Sequence, residues 1–140
     1  MIRVVIDTNV FLSALYFTKG NPWRIVTWAI EGKIQNISSG FILEEVRTVL
    51  KKKFHWQSHE IDKAIYTIES FSEIIFTNIH LNIIKCAADN RILECAIAGN
   101  ADFIISGDHH MTELREFKGI TIVNPAEFLA IVGREDLPEQ

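Results

Sequence analysis

The stretch Ile2-Arg3-Val4-Val5-Ile6-Asp7-Thr8-Asn9 decides the fold class of this chain. A β-branched apolar run that leads directly into an acid is typical of a short strand buried on both faces, as in parallel sheets. A second run of this kind, Phe103-Ile104-Ile105, leads into Ser106-Gly107-Asp108. Because ligand sites in open parallel sheets form beyond the carboxyl ends of the strands, Asp7 and Asp108 are the first candidates for a functional site.

Helical and strand-like segments alternate along the rest of the chain. Helices are predicted over 10–17, 22–31, 40–54, 89–98, 111–117 and 125–132, and another is capped by Ser58 and carries its apolar face from Ile61 to Ile68; further strands are predicted near 35–37, 74–76 and 120–123. This alternation predicts βαβ crossovers and an α/β, Rossmann-like three-layer fold with a mostly parallel central sheet flanked by helices. We expect one domain over residues 1–132 and a polar C-terminal tail over 133–140.

Helical geometry selects two further acids. At about 100° per residue, Glu45 falls on the edge of the apolar face that begins at Ile42, whereas Glu44 points to solvent. Asp89 stands at the N-terminal end of the buried face of its own helix. A carboxylate at the rim of a core needs a compensating partner, and a metal ion would serve. The alternatives are a solvated Glu45 and an Asp89 that only caps its helix.

Four acids from two strand ends and two helices form the candidate site: Asp7, Glu45, Asp89 and Asp108. Carboxylate oxygens suit Mg²⁺ or Mn²⁺, which ligand type alone does not distinguish. A cluster of four acids is electrostatically unstable without a cation. Bound metal would activate a water and neutralise charge on a phosphate, so the cluster predicts phosphodiester hydrolysis.

Smaller polar residues beside the acids each have two interpretations. Thr8, Asn9 and Ser106 either hydrogen-bond an acid or a phosphate, or serve as turn and cap residues. Glu94 lies on the helix of Asp89 but on another side, so it would support the site from outside. His109 and His110 are expected to face solvent.

Composition narrows the class of protein. The net charge is −4, which argues against a protein that holds nucleic acid by bulk positive charge but not against one that uses metal ions. No stretch approaches the roughly 20 apolar residues of a membrane span, and the N-terminus lacks the shape of a signal peptide. We therefore expect a cytoplasmic protein without a membrane partner. Cys86 and Cys95 lack the spacing of a zinc site or disulfide framework.

Five ordered blocks resemble those of PIN-domain nucleases, and in particular the prokaryotic toxin components of toxin–antitoxin pairs, akin to VapC toxins. The blocks are Asp7–Phe11, Glu45–Leu50, Asp89–Ala96, Ala101–Asp108 and Ile122–Leu129. They span nearly the whole chain. A lone Asp-Thr-Asn would be a weak signal, but the ordered set is a strong one.

The resemblance implies a PIN-like fold and a metal-dependent endoribonuclease that hydrolyses RNA with metal-activated water, leaving 5′-phosphate and 3′-hydroxyl ends. It carries over Asp7, Glu45, Asp89 and Asp108 as the acidic quartet. It also implies a homodimer and a cognate antitoxin protein as partner. Four basic residues near or after Glu45 either contact the RNA backbone or form a solvated surface: Arg47, Lys51, Lys52 and Lys53.

Other classes of protein fit the residues less well. A phosphatase of the haloacid dehalogenase type needs a second aspartate two residues after the first, where this chain has Asn9. A phosphoreceiver domain needs an acidic pair, a phosphorylated aspartate and a late lysine in an order that is absent. The alternative that stays open is a catalytically inactive PIN-like module that binds RNA or a protein.

Overall fold

The computed structural model describes residues 1–133, so all but the first residue of the predicted tail lies outside the described part. The strands are β1 (Arg3–Ile6), β2 (Gln35–Ser39), β3 (Ser72–Ile75), β4 (Phe103–Ile105), β5 (Glu116–Phe117) and β6 (Ile120–Val123). The helices are α1 (Thr8–Tyr16), α2 (Asn21–Ile30), α3 (Gly40–Lys52), α4 (Ser58–Ser70), α5 (Ala87–Ala98), α6 (His109–Thr112) and α7 (Pro125–Val132).

The strands form a single six-stranded sheet in the order β3-β2-β1-β4-β6-β5 within residues 1–133. Every neighbouring pair is parallel except β5 with β6, which confirms the predicted mostly parallel sheet. Val5 of β1 lies between Ile37 of β2 and Ile104 of β4. The chain builds outward from β1 through β2 to β3 and then returns to the other side at β4. The strand order therefore reverses between β1 and β4, the position where α/β sheets form their ligand crevices.

The helices cover both faces of the sheet, as predicted. Crossovers in parallel sheets are almost always right-handed, so the connections from β1 to β2 and from β2 to β3 are expected to place α1 to α4 on one face, and the return from β3 to β4 to place α5 on the other. α5 packs against β1, β2 and β4, while α7 packs against α2. Among residues 1–133, no helix combines the length and the apolarity that a membrane span needs.

The core explains why the central strands carry continuous apolar runs. Val4, Val5 and Ile6 of β1 are fully buried, as are Ile104 and Ile105 of β4. Full burial of such a side chain stabilises the fold by about 1.5–3 kcal/mol relative to exposure. Strands buried on both faces cannot alternate with polar residues, so polar groups first appear where the strands end.

Three local predictions were wrong in detail. The helix predicted over 111–117 is only the short α6, and its last residues form β5 instead. Arg115, Lys118 and Gly119 all have positive φ, so the backbone turns sharply into and out of this edge strand. The strand predicted over 74–76 ends at Ile75, which leaves Phe76 outside it. α5 begins two residues before Asp89, so Asp89 is not its N-cap.

Candidate active site

The acids at the ends of β1 and β4 leave the same edge of the sheet. Ile6 pairs with Ile105 in the last register position of the two strands, and Asp7 follows the first directly. Asp7 is the N-cap of α1, and its Oδ1 accepts a hydrogen bond of 2.7 Å from the Thr8 N–H. Asp108 caps α6 in the same way, with its Oδ1 accepting from the His110 N–H at 3.0 Å.

Glu45 reaches this edge from the second turn of α3. Its Oε1 accepts a hydrogen bond of 2.7 Å from the hydroxyl of Thr8, the residue after Asp7. Glu45 is half-buried, whereas its neighbour Glu44 is exposed. The Thr8 side chain therefore fixes the distance between the end of β1 and the acid on α3.

Asp89 comes from the opposite face of the sheet, in the first turn of α5. It is only 8% exposed, and its Oδ2 is buried without a hydrogen-bond partner among residues 1–133. The helix N-terminus favours its negative charge but supplies only partial compensation. A buried carboxylate oxygen without a partner is costly and is the kind of group that a bound cation satisfies.

Charge interactions link each buried acid to its acidic neighbours at this edge. Burial raises the pKa of Asp7; hydrogen bonds from Ser106 and Thr8 oppose the shift, and the charges of Glu45 and Asp108 add to it. Burial likewise raises the pKa of Asp89, and the charges of Asp108 and Asp7 raise it further. The cluster thus holds more negative charge than its surroundings compensate.

Ser106 and Asn9 connect the two acidic turns. The Ser106 hydroxyl donates to Asp7 Oδ2 at 2.8 Å and accepts from the Asp108 N–H at 3.1 Å. Asn9 donates to the same Asp7 oxygen at 3.4 Å, and its Oδ1 accepts from the Gly107 N–H at 2.9 Å. These contacts orient both acids from within the protein, where sequence alone left turn formation as an equal alternative.

The carboxylate oxygens and the negative charge of the cluster suit a hard divalent cation. They do not surround the ion completely. Within residues 1–133, no three acidic, imidazole or thiol groups converge closely enough to enclose an ion by themselves. Mg²⁺ and Mn²⁺ are commonly held by one or two carboxylates and retain several waters. The unsatisfied Asp89 oxygen and the raised pKa values of Asp7 and Asp89 are the features that such an ion would relieve.

Glu94 does not belong to this cluster. Both of its carboxylate oxygens bond the Arg91 guanidinium, at 2.8 and 2.7 Å, and one also accepts the Leu81 N–H. Burial works to raise the pKa of Glu94, but the Arg91 and Leu81 hydrogen bonds and the charges of Arg91 and His80 outweigh it, so the pKa is lowered. Glu94 supports the 77–86 loop rather than the acids.

The four predicted basic residues lie away from the acids. Arg47 forms an ion pair of 2.7 Å with Asp62 on α4. The lysines are exposed at the end of α3, roughly 9–12 Å farther along the helix axis than Glu45. They are Lys51, Lys52 and Lys53. An RNA chain would have to extend along α3 to reach them.

His110 contributes to the site in a way that sequence reasoning missed. It is exposed, as expected, and lies near enough to Asp89 to oppose slightly the upward shift in the pKa of that carboxyl. The available signal was its position in the first turn after Asp108, on a strand-end loop that faces the acids.

The fold and the acidic edge define an α/β domain with its site at the switch point between β1 and β4. Residues 3–110 match the PIN domain family. An uncharacterised protein of Methanocaldococcus jannaschii is 35% identical over 119 residues, which cover 82% of this chain and 76% of that protein. This chain belongs to the PIN domain family, whose members are generally nucleases.

A solved structure shows the same fold at low sequence identity. The VapBC2 structure from Rickettsia felis, bound to a DNA fragment from its promoter, contains a chain similar to this one with a TM-score of 0.61. The two chains are 16% identical, and the match covers 88% of this chain and 98% of that chain. The similarity extends over nearly the whole fold.

Proposed function

We propose that this protein is a metal-dependent endoribonuclease that hydrolyses RNA phosphodiester bonds. The observation that carries the proposal is the convergence of four acids from β1, α3, α5 and β4 at one edge of the sheet. Burial raises the pKa values of Asp7 and Asp89, and the charges of neighbouring acids raise them further. Membership of the PIN domain family supports nuclease chemistry. A carboxylate cluster that is unstable by itself is suited to bind a cation, and through it a phosphate.

Asp7, Glu45, Asp89 and Asp108 would hold Mg²⁺ or Mn²⁺. When bound, the ion would supply activation of a water nucleophile and neutralise charge on the phosphate. Asp7 and Asp89 are the best placed to bind it, because both are buried and Asp89 Oδ2 has no partner within the described residues. Glu45 and Asp108 are half-buried and border the space where substrate would enter.

The supporting residues act by orientation. Ser106 donates a 2.8 Å hydrogen bond to one oxygen of Asp7 and so restricts the rotation of that carboxylate. Thr8 fixes Glu45 in the same way. Asn9 holds the Gly107 turn that positions Asp108. Catalysis by such a site depends on this positioning, since small displacements of reacting groups are costly in rate.

RNA is the proposed substrate, with product ends of 5′-phosphate and 3′-hydroxyl. These ends follow from attack by water on the phosphorus with the 3′-oxygen as leaving group. Ends bearing 2′,3′-cyclic phosphate would contradict this mechanism, because they arise when the RNA's own 2′-hydroxyl is the nucleophile.

The biological setting proposed is that of a toxin controlled by an antitoxin. The similarity to a chain of the VapBC2 structure supports this setting. We propose a cytoplasmic homodimer that binds a cognate antitoxin protein and has no membrane partner. The alternative function, an inactive PIN-like module that binds RNA or a protein, lacks an observation in its favour because all four acids are present at the edge.

The direct test is RNA cleavage by Glu45→Gln beside its matched control, Glu44→Gln. Glu45 is hydrogen-bonded to Thr8 at the site, and Glu44, the preceding residue of the same helix, is exposed. We expect cleavage in Mg²⁺ or Mn²⁺ to fall at least roughly a hundredfold in the first variant and to stay unchanged in the second. Equal activity in both variants would contradict the site, and RNA binding without cleavage by the wild type would favour the inactive module.

A further inference from the structure

A cavity of about 590 Å³ opens beside the acids at the same edge of the sheet. Its walls are the start of α3 at Ser39–Phe41, the end of β3 and the following residues 75–78, and Arg91, Glu94 and Cys95 of α5. Its size is that of a small-molecule binding site. None of the four acids lines it, so it is a separate feature from the proposed metal site.

The position of the cavity relates it to the acids. The carboxyl ends of β1, β2 and β3 follow one another along the edge, and neighbouring strands are about 4.8 Å apart. Asp7 ends β1, whereas Ser39 and Ile75 at the cavity end β2 and β3. The cavity thus begins roughly one or two strand spacings from Asp7. A nucleotide that adjoins the bond being cut spans such a distance.

Phe76 is the most unusual residue of the cavity. Its side chain is 88% exposed, the largest exposure of any apolar ring in residues 1–133. It follows directly after β3, where the strand ends and the loop begins. Phe41 lines the cavity from the start of α3 and is itself 38% exposed. Exposed aromatic rings at a cavity rim are the usual stacking surfaces for bases of single-stranded nucleic acid.

The charges of the cavity favour a neutral occupant with polar edges. Glu94 and Arg91 cancel each other in an ion pair of 2.7 Å, so the wall carries no net charge to attract a phosphate. Arg91 Nη1 has no hydrogen-bond partner among residues 1–133, although the Nε and Nη2 groups donate to Glu94 and Leu81. It can therefore donate to an acceptor on a base edge. Burial raises the pKa of Cys95 to about 12, so this thiol stays protonated and unreactive.

Side chains of α5 at the cavity also hold the loop that follows its wall. Arg91 and Glu94 bind the Leu81 main chain, and Asn90 Oδ1 accepts the N–H groups of Ile83 and Ile84 at 2.9 Å each. Asn90 is only 2% exposed. These contacts from α5 fix residues 81–84, the part of the loop that follows the cavity wall.

We propose that this cavity binds a nucleobase of the RNA substrate, the base of a nucleotide next to the cleaved bond, stacked on Phe76 with its acceptor edge toward Arg91. The proposal rests on the proposed ribonuclease function and deepens it, because it makes the cavity the site of base preference. The acids would select the phosphodiester, and Phe76 with Arg91 would select the base beside it.

The test compares Phe76→Ala, Phe76→Trp and Tyr66→Ala with the wild type. Tyr66 is a matched control, since its ring is 73% exposed on α4 and does not line the cavity. Binding of short fluorescein-labelled single-stranded RNAs of each base is measured by anisotropy in EDTA, and their cleavage is measured in Mg²⁺. We expect Phe76→Ala to weaken binding roughly 5- to 150-fold and to lose base preference. Phe76→Trp and Tyr66→Ala should behave like the wild type.

Each other result has a distinct meaning. If the wild type cuts RNA and Phe76→Ala keeps the same affinity and base preference, the base site is wrong and the nuclease function stands. If the wild type neither binds nor cuts RNA, both proposals fail together. If Phe76→Ala changes only the oligomeric state in sedimentation velocity, the ring belongs to a protein interface and the base site is overturned.

Discussion

The buried charge of Asp7 lowers the stability of the fold, although the proposed function requires it. Its carboxylate is 6% exposed and lies beside the charges of Glu45 and Asp108. The folded protein accepts this unfavourable charge, and substitutions that relieve such strain at active sites commonly stabilise proteins while removing activity.

We expect Asp7→Asn to raise the stability of the metal-free protein by about 1 kcal/mol, or roughly 3 °C in melting temperature. The asparagine oxygen can still accept from the Thr8 N–H, its amide N–H can donate to the Ser106 hydroxyl in place of the bond that Asp7 Oδ2 accepted, and the buried charge is removed. Thermal unfolding in EDTA at neutral pH measures the effect, with Glu44→Gln as control. A lower melting temperature for Asp7→Asn would show that its charge is compensated in the folded state.

The pH dependence of stability follows from the same residues. Raised folded-state pKa values mean that Asp7 and Asp89 bind protons more tightly in the folded protein than in the unfolded chain. Their contribution therefore favours folding at acid pH and is lost as the pH rises through the folded-state values. Unfolding in EDTA should show a shallower fall with rising pH in Asp7→Asn than in the wild type. Parallel curves would contradict the assigned direction.

At the scale of single elements, α5 combines two roles in neighbouring residues. Asp89 faces the acidic cluster, while Asn90, Arg91 and Glu94 hold the 77–86 loop. Because the Glu94 pKa is lowered, its contribution is present above the ordinary value of 4.5 and is lost as the pH falls through the folded-state value. This sign is the reverse of that for Asp7.

Glu94→Gln should cost roughly 2 kcal/mol of stability, because Arg91 keeps its charge and loses its anionic partner. The loss should be local at first, with faster amide hydrogen exchange at Leu81 than in the wild type. Glu69→Gln, on the exposed face of α4, is the control and should change neither quantity. Unchanged exchange at Leu81 would show that other contacts fix the loop.

The junction of α5 with β4 depends on a close approach at Gly99. A Cβ at this position would overlap the Ile37 side chain and crowd the Cys95 carbonyl, at 3.2 Å. We expect Gly99→Ala to destabilise the protein by roughly 1–3 kcal/mol. Gly40→Ala, where no atom lies within 4 Å of the added carbon, should be neutral or stabilising. Denaturant unfolding measures both, and equal stability of the two variants would contradict the packing described.

For the whole molecule, the fold could be predicted from the sequence because the hydrophobic pattern and the acids that follow the strands indicate the same parallel sheet. Continuous apolar runs with acids directly after them indicated buried parallel strands, and the structure confirms that sheet. The strand β5 was missed because a strand of two residues is too short to show an alternating hydrophobic pattern. Its hairpin also depends on positive φ at Lys118 and Gly119. Local pattern carries no signal for so short an edge strand.

Only part of the candidate site could be predicted from the sequence. Strand ends and helix faces selected four acids that the structure brings to one edge. The cavity beside them was not foreseen, because its walls come from three segments that only the tertiary fold places together. Phe76 looked like the last residue of a strand, and its exposure depends on where β3 ends.

The most direct measurement is Mn²⁺ titration calorimetry on the wild type and on Asp7→Asn, with RNA cleavage followed on the same samples. We predict that the wild type binds Mn²⁺ and cuts RNA, and that the variant loses both while it stays folded and melts at a higher temperature in EDTA. Wild-type protein that cuts RNA without binding metal, or a variant that retains metal binding and cleavage, would contradict the carboxylate metal site.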